Sequence, residues 1–355
     1  MGYKLWHVIV LAGSILFLSC SEDPDILLSK AETEADLGSR QKALNYLFEI
    51  QNSHPDFTEA YLFAARLLFE DNNLTGAVNQ CRLGLEARAD SSQILRYIGE
   101  MHHKSGNTNI AYQYYQKALE VNAANVRAQI GTGNILIGKE LYDQALTHYD
   151  LALELDSANY LATVWKARAI VGLKRTADAI VLLEAAIEDV PTRGPAYAIS
   201  AYAQESTSVE EKTILENYAL AVKLEPKNRY VWYFYLEFIS RLKTRDVQVY
   251  MDFIVIINNF RSHFPEDLHG RQSLAWAYLE LAELDSPTWL EVARQQCEQV
   301  LIIDSDDHWS HYLLGRLYLL QKKPRLALLE AQLAFEIKPI SRYLELIDRA
   351  KLYTD

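Results

Sequence analysis

Two segments of this chain, AYQYYQKALEV (111–121) and ALTHYDLALEL (145–155), share one arrangement of alanine and tyrosine. In each segment a tyrosine lies four residues after the first alanine, and a second alanine lies seven residues after that first alanine. The two segments start 34 residues apart, and the same spacing continues on both sides of them. A period of this length is typical of helical repeat arrays. The leading series of small residues is Ala43, Ala77, Ala111, Ala145 and Ala179.

Two further series of small residues have the same period. One consists of Ala31, Ala65, Gly99, Gly133 and Ala167, and the other of Gly84, Ala118, Ala152 and Ala186. The offsets between the three series, twelve and then seven residues, place one small residue midway along a first helix and two on one face of a second helix. Small side chains at these points let antiparallel helices pack closely. The sequence therefore predicts an all-α fold.

This pattern resembles the tetratricopeptide repeat, a helix-turn-helix unit with conserved spacing of small and aromatic residues. The segments 274–278 (LAWAY) and 314–318 (LGRLY) match the first helix of that unit. Its second helix carries an aromatic residue, here Tyr115, Tyr149 and Tyr218. A proline closes several units, where it cannot continue the second helix; these prolines are Pro55, Pro191, Pro226 and Pro339.

The resemblance implies an all-α, right-handed superhelical solenoid of about nine such units over 24–341, followed by a capping helix over 342–355 with a polar outer face. The seventh unit is rich in aromatic residues and irregular, so we expect any hinge or boundary there. The predicted units are 24–57, 58–91, 92–125, 126–159, 160–193, 194–228, 229–266, 267–306 and 307–340.

Composition excludes several classes of protein. Half of the 355 residues are hydrophobic, which is sufficient for a large core. The formal net charge is −12 and no run of Lys or Arg occurs, which argues against binding to nucleic acid. Three cysteines cannot form a disulfide framework.

The first nineteen residues have the pattern of a secretory signal. Lys4 precedes a largely apolar stretch of about 14 residues, shorter than the roughly 20 needed to span a bilayer. The stretch ends in 17–20 (FLSC), which resembles a bacterial lipobox, although Phe17 stands where leucine is usual. We therefore expect 1–19 to be removed, Cys20 to carry the lipid and 20–23 to form the lipidated N-terminus. An ordinary signal peptide with an incidental cysteine remains the alternative. Ser21 favours the outer membrane.

No residue pattern predicts catalysis. The glycines of 131–133 (GTG) lie within a predicted helix, without the strand and loop of a phosphate-binding motif. His308 and His311 share a helix face but have no third metal ligand nearby. Cys81 and Cys297 occupy the aromatic position of their second helices, where we expect core thiols. We therefore expect no enzyme activity, no cofactor and no metal.

In the tetratricopeptide family the concave surface is lined by the first helix of each unit. The residues that fall at its second, fifth, ninth and twelfth positions here include arginines in the first half and aromatic residues in the second. Both types are enriched at binding hot spots. The candidate partner-binding residues are Arg66, Phe69, Arg96, Glu100, Asn134, Arg168, Tyr202, Tyr233, Trp276, Tyr312 and Arg316.

These observations lead to two functional hypotheses. The first is a lipid-anchored scaffold facing the periplasm of a bacterial envelope, which binds protein partners in its groove while an envelope machine is assembled: a pilus or secretin, or an outer-membrane or peptidoglycan complex. The second is an accessory lipoprotein that binds a small ligand in an aromatic cavity, for a transport or secretion system. The aromatic segment 232–235 (WYFY) motivates the second hypothesis.

Overall fold

The computed structural model describes residues 22–242 and 244–353. Over these ranges the protein forms nineteen α-helices and no β-strand. This confirms the predicted fold class, an all-α array of repeated helix pairs. The predicted signal peptide and Cys20 lie outside the described residues. Within the described part, none of the helices combines the length and the apolar character that a bilayer crossing requires.

Contacts between Cα atoms divide the chain into two compact units, with the boundary between Ala158 and Asn159. Unit 1 contains four helix pairs. Their helices are α1 (Pro24–Asp36), α2 (Arg40–Ser53), α3 (Thr58–Glu70), α4 (Leu74–Glu86), α5 (Ser91–Lys104), α6 (Thr108–Val121), α7 (Val126–Gly138) and α8 (Tyr142–Leu155).

Unit 2 contains five helix pairs and a final single helix. Its helices are α9 (Tyr160–Gly172), α10 (Thr176–Asp189), α11 (Gly194–Gln204), α12 (Glu211–Leu224), α13 (Arg229–Arg241), α14 (Val247–His263), α15 (Leu268–Leu284), α16 (Trp289–Ile303), α17 (His308–Leu320), α18 (Pro324–Ile337) and α19 (Ser341–Lys351). In α19, Tyr343, Leu346 and Ile347 are buried while its charged residues are exposed, as expected of a capping helix.

One tight turn joins the first helix of a pair to the second at six places. The central residue of this turn has a positive φ of 58–80°, and in five consecutive pairs it recurs every 34 residues. After α3, for example, the Asn72 N–H donates to Phe69 O and the Asn73 N–H donates to Leu68 O, a Schellman arrangement that satisfies the last carbonyls of the helix. The central residues are Gly38, Asn72, Gly106, Glu140, Lys174 and Lys322.

The small residues lie where the two helices of a pair approach most closely. All five alanines of the leading series are completely buried. The size of the first-helix residue matches the side chain that it meets. Gly99 and Gly133 face Tyr115 and Tyr149, and a Cβ on either glycine would come within 2.8 Å of the tyrosine ring. The other three regular pairs have an alanine in the first helix and a smaller side chain, Leu47, Cys81 or Leu183, at the tyrosine position.

The boundary expected in the aromatic-rich seventh unit was wrong. The largest hydrophobic core of the protein runs from Ala198 to Leu317 and passes through that segment. Trp232 packs against Phe260 with ring centres 5.8 Å apart, and Tyr250 packs against Trp276 at 5.7 Å. Trp232 and Phe260 thus join the two helices of the seventh pair, and Tyr250 and Trp276 join that pair to the next one. The boundary lies earlier, after α8.

Candidate functional site

All eleven candidate partner-binding residues of the sequence lie on first helices, within or at the end of α3, α5, α7, α9, α11, α13, α15 and α17. Their surroundings differ, and these differences decide which of them a partner could reach.

In unit 1, Arg66 is exposed and its guanidinium carbon lies 4.3 Å from the centre of the Phe63 ring. Among the described residues no carboxylate forms an ion pair with it. Phe69, one turn later on α3, is half-buried. Arg66 and Phe69 therefore place a positive charge and an apolar ring on one exposed helix face.

Arg96 and Asn134 are committed to contacts inside unit 1. The Arg96 side chain is only 6% exposed, and its Nη1 donates to Glu100 Oε1 at 2.5 Å. This pair neutralises both charges within α5. Asn134 Oδ1 accepts a hydrogen bond of 2.7 Å from Tyr149 Oη. These three residues therefore stabilise the fold, and they offer less to a partner than the sequence suggested.

In unit 2, Arg168 of α9 packs on aromatic residues of the next two helix pairs. Its guanidinium carbon lies 4.3 Å from the centre of the Tyr202 ring on α11 and 6.0 Å from that of Phe234 on α13. The rings of Tyr202 and Phe234 are themselves 5.4 Å apart. Nη1 of Arg168 is buried and has no hydrogen-bond partner. Within the described ranges no carboxylate pairs with this arginine.

Besides the contact of Arg168 with Phe234, α9 and α13 make a second side-chain contact. Trp165, one turn before Arg168, meets Tyr230 edge to face with ring centres 5.8 Å apart. Side chains of α9 and α13 thus meet, although α11 separates the two first helices in the order of the chain. The sequence of α11, GPAYAISAYAQ, makes this possible because its four alanines are small and buried. We call Trp165, Tyr202, Tyr230 and Phe234 the aromatic platform.

An ion pair and a tyrosine hold the end of α11. Glu205 Oε1 accepts a hydrogen bond of 2.5 Å from Tyr218 Oη, and Glu205 Oε2 one of 2.7 Å from Arg241 Nη2. Burial raises the pKa of Glu205 although both of these donors oppose the shift. Arg241, unlike Arg168, is thus neutralised within the protein.

The remaining candidates of unit 2 also have internal partners. Tyr233 Oη donates to Asp267 Oδ2 at 2.6 Å, and Tyr312 lies among the rings of Trp309 and Tyr343. Arg316 donates to Glu280 at 2.7 Å and to Glu283 at 2.6 Å.

Trp276 lies in the core and not on the surface, where the sequence predicted it. It is 5% exposed and packs between Tyr250 and Phe253, because the indole fills the core between α14 and α15. Trp276 is therefore a core residue that a partner protein cannot contact.

The cysteines and histidines considered for chemical reactivity are buried or have partners within the fold. Cys81 and Cys297 are buried, as expected, and burial raises the pKa of the Cys81 thiol to about 12. His308 Nδ1 lies 2.7 Å from Tyr343 Oη, and His311 Nδ1 lies 2.7 Å from Glu330 Oε2. In the part of the chain that the structure describes, no group of three His, Cys, Asp or Glu residues could hold a metal ion.

Three residues of the platform, Trp165, Tyr230 and Phe234, are not among the candidate partner-binding residues of the sequence. Tyr230 occupies the second position of its first helix. Trp165 and Phe234 occupy the sixth position of their first helices, outside the four positions that face the groove in the family. The signal that could have revealed them is the alanine-rich α11 between two helices that each carry a large ring at this position.

Comparison with known proteins supports the repeat architecture. A model of the tetratricopeptide repeat family matches residues 102–160 and 131–198. A structure of the human IFIT1 dimer with m7Gppp-AAAA is similar at 15% identity, with a TM-score of 0.64, and the match covers 94% of this chain and 82% of that one. At this identity the likeness shows the fold alone.

Two further solved structures are less similar. The Cut9–Hcn1 hetero-tetramer of the APC/C matches at 18% identity and a TM-score of 0.48, over 95% of this chain and 57% of that one. YrrB, described as a tetratricopeptide repeat protein with an unusual peptide-binding site, matches at 19% identity and a TM-score of 0.38, over 53% of this chain and 96% of that one. No curated protein sequence matches this chain.

The fold is an all-α array of helix pairs, and its segment 102–198 matches the tetratricopeptide repeat family. Proteins of this class are typically non-catalytic and mediate interactions between proteins. A repeat array of this kind offers extended surfaces for binding, and its function depends on the side chains that those surfaces carry.

Proposed function

We propose that this protein is a lipid-anchored scaffold that faces the periplasm and binds protein partners through the surface of its first helices. One observation carries the binding role. Arg66 and Arg168 lie on aromatic rings of first helices, and no carboxylate among the described residues neutralises them. Arginine that is packed on a ring keeps its donors oriented at a low entropic cost, which suits it to recognise a partner.

The proposed location rests on the N-terminal sequence. An apolar stretch that ends in Ser19 and Cys20 supports attachment of a lipid to Cys20, and Ser21 supports the outer membrane. An acylated N-terminus would keep the scaffold at a membrane surface, where an envelope machine is assembled. Such a machine would be a pilus or secretin, an outer-membrane complex or a peptidoglycan complex. We further propose that the protein acts without catalysis, cofactor, metal or nucleic acid.

The structure gives less support to the ligand-binding alternative. Its aromatic residues pack on one another in the core around α13 and α14. An open depression of about 320 Å³, lined in part by Trp232 and Tyr235, lies among α12, α13 and α14. Its position differs from the one expected between the seventh and eighth units.

Crosslinking in intact cells, followed by mass spectrometry, tests the binding role. The full-length protein should capture envelope proteins that an Arg66→Gln/Arg168→Gln variant does not capture. Arg82→Gln is the matched control, because Arg82 is exposed on a second helix and should not alter the captured set. Equal capture by all three proteins would contradict the binding surface.

The anchor is tested separately on the purified protein. We expect the mature N-terminus to be an acylated Cys20 and the Cys20→Ala variant to be lost from the membrane fraction. A mature chain that begins elsewhere without a lipid would contradict the anchor but not the binding surface.

A further inference from the structure

Arg168 differs from three arginines of unit 2 that form ion pairs with carboxylates of the same unit. Arg193 donates to Glu225 at 3.1 Å, Arg241 donates to Glu205, and Arg316 donates to Glu280 and Glu283. In the described residues Arg168 has two ring contacts and no ion pair or hydrogen bond. Its positive charge is therefore available, within a chain whose net charge is −12.

The geometry of the side chain favours a planar anion. A ring 4.3 Å away covers part of the guanidinium, and the enclosed Nη1 cannot be reached by water. A carboxylate that approached the accessible edge could accept two parallel N–H bonds from a guanidinium held in this way.

The surroundings of Arg168 indicate what accompanies the carboxylate. The guanidinium of Arg168 contacts the rings of Tyr202 and Phe234, and Trp165, one turn before it on α9, contacts the ring of Tyr230. Tyr230 is 45% exposed and the other three are half-buried, so the aromatic platform offers apolar area to a ligand. A partner segment that brings an acidic side chain to Arg168 can therefore place a neighbouring apolar residue on these rings.

We propose that Arg168 and the aromatic platform bind an Asp or Glu side chain of a partner protein, flanked by an apolar residue that packs on the rings. This proposal rests on the proposed function and specifies the partner's chemistry. Arg168 supplies charge and directed hydrogen bonds, and the platform supplies buried apolar area.

An array of acetylated and amidated 12-residue random-sequence peptides provides the test. Each peptide that contains Asp or Glu is printed beside a copy with Asn or Gln in its place. The full-length protein should bind acidic members with a neighbouring apolar residue at least about tenfold more tightly than their amide copies. In Arg168→Gln this preference should be lost, and in Arg168→Lys it should be reduced because the planar fork is missing.

The control is Arg175→Gln, which removes an exposed arginine that pairs with Asp178 at the start of α10. It should keep the full preference. Thermal unfolding of each variant verifies that it is folded, and Arg168→Lys remains as a probe if Arg168→Gln does not fold.

The outcomes separate this proposal from the proposed function. If peptides bind equally well with Glu or Gln, the proposed specificity for an acidic side chain is wrong, while the proposed binding of partners by the first helices is not contradicted. An unchanged preference in Arg168→Gln would show that another residue recognises the acid. No binding to any peptide would contradict both proposals. Tighter binding of a single-stranded 12-nucleotide RNA, lost in Arg168→Gln, would overturn the proposal in favour of phosphate recognition.

Discussion

The guanidinium carbon of Arg168 lies 4.3 Å from the centre of the Tyr202 ring, and the two residues come from first helices of neighbouring pairs. The contact places a cation on a ring while one of its nitrogens is enclosed without a partner. An unpaired buried N–H lowers stability. A side chain that lowers stability, as Arg168 does here, is expected at sites that function requires, because natural proteins need only enough stability to remain folded.

Replacing Arg168 with methionine should therefore not weaken the fold. Methionine keeps an unbranched apolar chain on Tyr202 and removes the unpaired donor, so the free energy of unfolding should stay constant or rise by up to about 1 kcal/mol. Urea unfolding, followed by circular dichroism, measures this. A loss of more than about 1.5 kcal/mol would show that the arginine stabilises the scaffold, and the binding argument would lose its basis.

The same replacement at Arg316 should have the opposite result. The Arg316 side chain, on α17, is 18% exposed and forms ion pairs with Glu280 and Glu283, which both lie on α15. Arg316→Met leaves these two carboxylates close together without a counter-charge, which should lower the free energy of unfolding by about 2–4 kcal/mol. Urea unfolding under the conditions used for Arg168→Met gives the comparison. An equal effect of the two variants would contradict the distinction between them.

Gly99 and Tyr115 should show strong energetic coupling. A Cβ at Gly99 would lie 2.8 Å from the Tyr115 ring, so Gly99→Ala should cost about 1–3 kcal/mol. In the double variant Gly99→Ala/Tyr115→Leu, the pair becomes similar to Ala31 with Leu47 in the first helix pair. Its cost should be smaller than the sum of the single costs by about 1 kcal/mol or more.

A glycine in open surroundings provides the control for this cycle. Gly138, at the end of α7, has no atom within 4 Å of an added Cβ. Gly138→Ala should therefore leave stability unchanged or raise it by about 0.5 kcal/mol, through helix propensity alone. Thermal or urea unfolding of all four variants tests the cycle, and additive costs for Gly99 and Tyr115 would refute the size-matching account.

Histidines should make the protein less stable as the pH falls below neutrality. Burial lowers the pKa of His103, His148 and His308 from 6.5. Below pH 6.5 the unfolded chain therefore binds more protons than the folded one, and the free energy of unfolding falls until these groups are protonated in both states. Urea unfolding between pH 7.5 and 5.5 should show this fall, with a smaller slope in His148→Gln. An identical slope in that variant would exclude a contribution from His148.

The repeat architecture could be predicted from the sequence because its determinants are local. Each helix pair repeats the same contacts at the same spacing, so one buried series, Ala43 to Ala179, contains the information for many helices. The turn after each first helix was harder to predict, since glycine marks it at Gly38 and Gly106 but Asn72, Glu140 and Lys174 take the same positive φ. There the hydrogen bonds of the helix end outweigh the preference of the residue.

The candidate site could be predicted only in part. Family positions correctly placed Arg168 and Tyr202 on first helices, but could not distinguish Arg168 from Arg96, whose charge is neutralised by Glu100. The distinction depends on which side chains meet across helix pairs. Trp165 and Tyr230 are 65 positions apart in sequence, and only the folded chain brings their rings together.

Site-specific photocrosslinking in cells tests the central claim most directly. A photoreactive phenylalanine analogue is placed at Tyr230, which is exposed beside Arg168, or at Val181, which is 67% exposed on the second helix α10. The account predicts a discrete protein adduct from position 230 that disappears when Arg168→Gln is added, and none of that mass from position 181. The same adduct from both positions, or one that persists with Arg168→Gln, would contradict the proposal that this surface binds the partner.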